Sequence, residues 1–252
     1  MYRLKDTCIK RKQAERHIDL KNYSVTNISN KIMEESIDKA EKVYLTDNQI
    51  FLKIWTSPRL VFKFINDQQY GEYVTILLIF TGIYNVLNRA MSKNMGDHIP
   101  LWGVLCLCIL GGAIFGWISN YIWAALISWT GGLLHGEGDT DSILRVMSYA
   151  MIPTIVSLIP VSLQIAAYGN DLFKSDINLL NSTWTDGLFL YTTTAISIGL
   201  RIWSFVLMVI GISEVQKIPV WKSLLNIILP FLVIGLPIML IILLFTGFNI
   251  GG

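Results

Sequence analysis

Five stretches of this 252-residue chain are long and apolar enough to cross a bilayer, and nothing else in it constrains the fold so strongly. A helix needs roughly 20 mostly apolar residues to traverse a hydrocarbon core about 30 Å thick. The stretches fall at about 73–91, 101–132, 143–168, 188–212 and 221–245. They predict an all-α polytopic membrane protein. The second, which carries Trp102, Trp117, Tyr121, Trp123 and Trp129, is longer than a crossing requires and should tilt or bend onto the interface. Only 15% of residues are charged, where soluble domains run near a quarter, and the mean hydropathy is +0.52.

Charge divides the chain. Residues 1–71 carry 13 Lys+Arg against 9 Asp+Glu, a net of +4; residues 72–252 carry 7 against 9, a net of −2. The expected organisation is a basic extension at 1–47, an interfacial amphipathic helix at 48–71 and a five-helix membrane domain at 72–252. Residues 1–25 hold seven Lys+Arg and read as disordered or loosely surface-bound. Ile28, Ile32, Ile37, Ala40 and Tyr44 fall near helical spacing. No apolar stretch long enough for a signal peptide occurs before residue 70, so the N-terminus is expected in the cytoplasm. The loops alone do not decide orientation: Arg145, Lys217 and Lys222 on one side balance Arg89, Lys93 and Lys174 on the other. The basic head tips it inward, which puts the C-terminus outside.

Trp55-Thr56-Ser57-Pro58-Arg59 reads as a helix start. Thr56 or Ser57 can cap the helix, and Pro58 occupies its first turn, where a missing N–H costs nothing. Leu60, Val61, Phe62, Phe64 and Ile65 then surround Arg59 and Lys63. Such a helix either lies in the interface, with Trp55, Pro58, Arg59 and Phe62 as its anchor, or packs on the membrane domain.

The Trp-Thr-Ser-Pro-Arg motif before five spans resembles the Yip family, the Rab/Ypt-interacting-type membrane proteins, in its bacterial branch. Two further stretches share the resemblance: GGLLHGEGDTDSILRVMSYAMIP (131–153) and IWSFVLMVIGISEVQKIPVWKSLLNIILP (202–230). It covers about residues 50–245. It implies five spans, a cytoplasmic N-terminus and, by likeness to eukaryotic members, a scaffold that engages partner membrane proteins and prenylated small GTPases.

Arg201 is the sharpest single feature, near the middle of the fourth stretch. A mid-bilayer Arg costs on the order of 3 kcal/mol on insertion scales unless partnered. No span offers a central carboxylate. Either Arg201 meets an anionic lipid, a ligand or a partner subunit, or it snorkels and bonds polar groups such as Asn120, Gln164 or Thr193. Gly112 and Gly116 form a GxxxG, which lets two helices approach closely within the chain or between protomers. Pro153 and Pro160, like Pro230 and Pro237, are seven apart and should bend the third and fifth spans. The matching pairs suggest parallel repeats, or simply the frequency of proline in membrane helices.

The loop His135–Asp141 gathers three carboxylates and an imidazole. It lacks the rest of a calcium-loop pattern, and reads more simply as a turn with Asp141 capping the third span. Cys8, Cys106 and Cys108 form no metal-binding or disulfide pattern. No catalytic or nucleotide-binding fingerprint occurs, and no cofactor, metal or nucleic-acid partner is expected. The expected partners are membrane lipids and other membrane proteins or a second copy. Two functions follow: a non-catalytic scaffold, or a lipid or small-molecule transporter with its site near Arg201. A polar cavity around Arg201 favours the second, and a GxxxG contact between protomers favours the first.

Overall fold

The computed structural model describes residues 45–175 and 184–249. The basic head, with Cys8 and the helical pattern near Ile28–Tyr44, lies outside them. The described residues form nine α-helices and no strand. Two short helices come first, α1 (Asp47–Lys53) and α2 (Pro58–Asp67). The spans follow as α3 (Val74–Ser92), α4 (Leu101–Leu133), a segmented third span, α8 (Trp184–Gln216) and α9 (Val220–Asn249). The third span comprises α5 (Thr140–Ala150), α6 (Ile152–Val156) and α7 (Leu158–Tyr168). Five segments are long and apolar enough to cross a membrane, in the places the hydropathy pattern predicts.

The burial pattern is that of a membrane bundle. Helix α4 buries a stripe at Val104, Cys108, Gly112 and Gly116, continued by Ala124 and Ile127. Ile109, Leu110, Ile114, Phe115 and Trp129 on the same helix are each more than half exposed. Such a face would be a liability in water; against lipid tails it is an outer wall. At 33 residues, about 50 Å at 1.5 Å per residue, α4 is longer than the core is thick.

The two helices before the spans differ from the single interfacial helix expected over 48–71. Thr46 opens α1 through a capping box with Gln49, and Ser57 precedes Pro58 at the start of α2. Val61, Phe62 and Ile65 are wholly buried, with Ile50 of α1 and Ile54 at its C-terminal cap. They pack under α5 and α8, so the apolar face of α2 meets protein instead of bilayer. Gly211 of α8 makes room for this: a Cβ there would stand 3.3 Å from the Phe62 ring and collide with Val146.

The proline pairs do not act alike. The helix is interrupted at Met151 and Ser157, so Pro153 and Pro160 each sit in the opening turn of a new segment. The Thr154 N–H donates across to Ser204 Oγ of α8 at 2.9 Å, answering a backbone group that the break sets free. Helix α9 runs through Pro230 and Pro237 without interruption. At the start of the third span the cap is Asp139, not Asp141, which lies in the first turn. The Ser142 hydroxyl, its main influence, and Arg145 nearby hold the Asp139 carboxyl below its ordinary value.

Candidate functional site

The α3–α4 seam is built on glycine. A Cβ on Gly116 would lie 2.5 Å from the Gly82 Cα, and one on Gly112 would lie 2.5 Å from the Ile83 Cα. A side chain on Gly82 would run into the Gly112 carbonyl. The GxxxG is therefore in contact with Gly82 of the same chain.

Beside this seam runs a groove of about 790 Å³, bounded by α3, α4 and Arg201 of α8. Its polar lining is Asn85, Asn88, Arg89, Ser92, Lys93, Ser119 and Arg201; no carboxylate or histidine belongs to it. Three cations thus face one space. Asn88 donates to the Tyr84 carbonyl, Ser92 to the Asn88 carbonyl and Ser119 to the Gly116 carbonyl, so these side chains are turned to their own helices.

Arg201 is exposed to the groove. Its guanidinium carbon lies 5.3 Å from the centre of the Tyr84 ring, itself buried to 1% exposure. A cation–π contact of this kind contributes about 0.5–2 kcal/mol, less than the roughly 3 kcal/mol cost of an Arg at mid-bilayer. Among the described residues, none donates to it, accepts from it or pairs with it. Asn120 and Gln164 are not brought to it. Asn120 donates to the Gly116 carbonyl at 2.7 Å, and Gln164 donates to Thr193 at 2.7 Å and Thr194 at 3.1 Å. Arg89 and Lys93 follow Tyr84 by five and nine positions, about 8 and about 14 Å of helix. Arg89 and Lys93 therefore guard the mouth of the groove and Arg201 its depth.

A second, apolar groove of about 630 Å³ adjoins the first and shares Val86 and Phe115 with it. Trp102, Gly103, Cys106, Leu107, Leu110 and Gly111 complete its walls.

At the opposite end of the bundle, Arg59, Ser213, Glu214, Lys217 and Ile218 to Val220 line a cleft of about 460 Å³ that mixes both signs of charge. There the Yip1 domain profile is matched by residues 52–242, which takes in this cleft, the groove and all five spans. The chain belongs to the Yip1 domain family. No curated protein and no solved structure matches it.

Membership gives the quoted motifs a structural meaning. The Gly-rich turn of this Yip1 domain encloses the fully buried Gln216 side chain: a Cβ on Gly131 or Gly136 would stand 2.6 or 2.8 Å from Gln216 Cδ. Gln216 donates to the Ile127 carbonyl at 3.4 Å and ties α8 to α4. In the same turn Glu137 accepts from Lys217 at 2.6 Å, and no group of three His, Cys, Asp or Glu gathers among the described residues. Sequence reasoning missed Gly82, Tyr84 and the joining of Arg89 and Lys93 to Arg201. The first had a visible signal, a lone glycine amid large residues; the others depend on contacts across more than 100 positions.

Proposed function

We propose that this Yip1-domain protein is a non-catalytic component of a bacterial cytoplasmic membrane that holds an anionic lipid or small anion in the Arg201 groove. Its N-terminus lies in the cytoplasm. One observation carries the reading: three cations and no carboxylate around a cavity at membrane depth. Arg is suited to such a site because it stays charged at any relevant pH and its planar fork matches phosphate or carboxylate.

Of the two functions expected from sequence, the lipid or small-molecule reading has the better support. The polar cavity beside Arg201 is its signature, and the glycine contact that a scaffold could use between protomers is occupied within the chain. Assembly with partner membrane proteins or a second copy keeps a separate support in the mixed-charge cleft with Arg59 of the family motif.

Native mass spectrometry of the full chain in mild detergent tests the site. Wild type should retain a bound anionic species that Arg201→Leu loses while still folded. Equal retention by both proteins overturns the reading. For orientation, a Cys placed at Asn249 should react with an impermeant reagent in intact cells while Cys8 stays protected; the reverse pattern inverts the topology.

A further inference from the structure

We infer that the occupant is an anionic phospholipid, its phosphate between Arg201, Arg89 and Lys93 and one acyl chain in the adjoining apolar groove. This rests on the proposed anion site and names its ligand class. Charge alone would suit a free anion as well as a lipid. What separates them is the neighbouring surface: the polar groove shares Val86 and Phe115 with an adjoining apolar groove, lined otherwise by Trp102, Gly103, Cys106, Leu107, Leu110 and Gly111. A free phosphate gains nothing from that apolar groove. An acyl chain, already in the apolar phase, gains van der Waals contact with the groove wall.

The depth of the cations agrees. Arg89 and Lys93 stand at the C-terminal end of α3, where the headgroup layer meets a 19-residue helix of about 28 Å. Arg201 lies at the level of Tyr84, about 8 Å of helix from Arg89 and about 14 Å from Lys93. A long Arg side chain reaches toward the interface, and a phosphate drawn slightly inward would meet it. The Tyr84 ring under the guanidinium leaves its N–H groups free for the ligand. The leaflet concerned is the one at the C-terminal end of α3.

Gly111 supplies a selective test. It lines the apolar groove, and a Cβ on it would meet nothing within 4 Å. Gly111→Phe should therefore fill the groove without disturbing the bundle. The full chain is titrated with phosphatidylglycerol, with phosphatidylcholine and with inorganic phosphate, followed by native mass spectrometry and thermal unfolding. Wild type should retain phosphatidylglycerol at least tenfold better than phosphatidylcholine. Arg201→Leu should lose that preference, Arg201→Lys should keep part of it, and Gly111→Phe should weaken phosphatidylglycerol about tenfold while leaving inorganic phosphate unaffected. If Arg201→Leu does not fold, Arg89→Gln with Lys93→Gln carries the same expectation. Tight inorganic phosphate binding, with Gly111→Phe indifferent to lipid, overturns the lipid assignment and leaves the anion site standing. No dependence of any probe on Arg201, Arg89 or Lys93 overturns both.

Discussion

The two ends of this bundle treat charge in opposite ways. Where α1 and α2 tuck under α5 and α8, several charged groups find partners within the chain. Asp47 accepts from Tyr70 at 2.7 Å and from Tyr73 at 2.8 Å, Arg145 donates to Ser142 at 2.9 Å, and Lys217 pairs with Glu137 at 2.6 Å. In the groove of α3, α4 and α8, Arg89, Lys93 and Arg201 share a cavity without an anion. An unpaired cation in an apolar medium is costly. At the first end these groups meet side chains of the chain itself; at the second no anionic side chain is supplied among the described residues, and on the proposed reading a ligand supplies the anion. That difference, more than the number of spans, points to where this Yip1 domain works.

The packed end should fail hardest. Phe62 is wholly buried and Phe64 nearly so, beneath Gly211 and among Val61, Ile65 and Met147. Removing a buried Phe side chain costs about 3–5 kcal/mol, and a carboxylate in its place adds a desolvated charge. Phe62→Asp with Phe64→Asp should abolish cooperative thermal unfolding in detergent. An unchanged transition would show that this end is not held by the α2 face.

A second effect, of about 1–3 kcal/mol or somewhat more, is expected at the seam the two regions share. Gly116→Leu places its side chain against the Gly82 backbone, which cannot move aside as a flexible side chain would. The helices must separate, lowering the unfolding temperature and widening the groove. If anion binding survives while stability falls, the cations hold their ligand without the seam; if both fall together, the seam shapes the site.

The spans were legible because burial in lipid demands long apolar runs, and the start of α2 because Ser57 and Pro58 have fixed uses at a helix end. The break at Met151 was legible through Pro153. Its partner in α9 was not, since whether a proline interrupts a helix depends on what neighbours supply to the freed backbone, here Ser204 for Thr154. Asp139 and Asp141 both suit a cap, so spacing alone did not choose between them. Arg201 stood out by its depth. Its place beside Arg89 and Lys93 did not, because those two read as loop charges until α3 and α8 are seen to border one cavity.

A smaller effect concerns pH at the closed end. The Tyr70 hydroxyl, then that of Tyr73, holds the Asp47 carboxyl below its ordinary value. A depressed carboxylate contributes stability that is fully present above the unfolded-state value, near pH 4, and is lost as pH falls through the folded one. Asp47→Asn should therefore lower the unfolding temperature slightly at neutral pH and make no difference once the pH is below the folded-state value. A variant that tracks wild type at every pH would mean that these exposed hydrogen bonds contribute nothing measurable.

The smallest stability change, and the most telling, is expected at Arg201. Removing one partner of a buried ion pair is normally severe because the other charge is left stranded. Here no described side chain would be stranded: the Tyr84 ring loses a cation–π contact of about 0.5–2 kcal/mol, and the bundle loses a cation costing about 3. Without added lipid, Arg201→Leu should unfold at the same temperature as wild type or slightly higher. Adding an anionic lipid that binds only the folded protein should then raise the wild-type temperature and leave the variant where it was, since ligand binding stabilises by mass action. Arg201→Lys should fall between them, having charge without the fork. A large loss of stability in Arg201→Leu without lipid would instead mean that the chain itself answers this charge, and the contrast between the two ends would disappear.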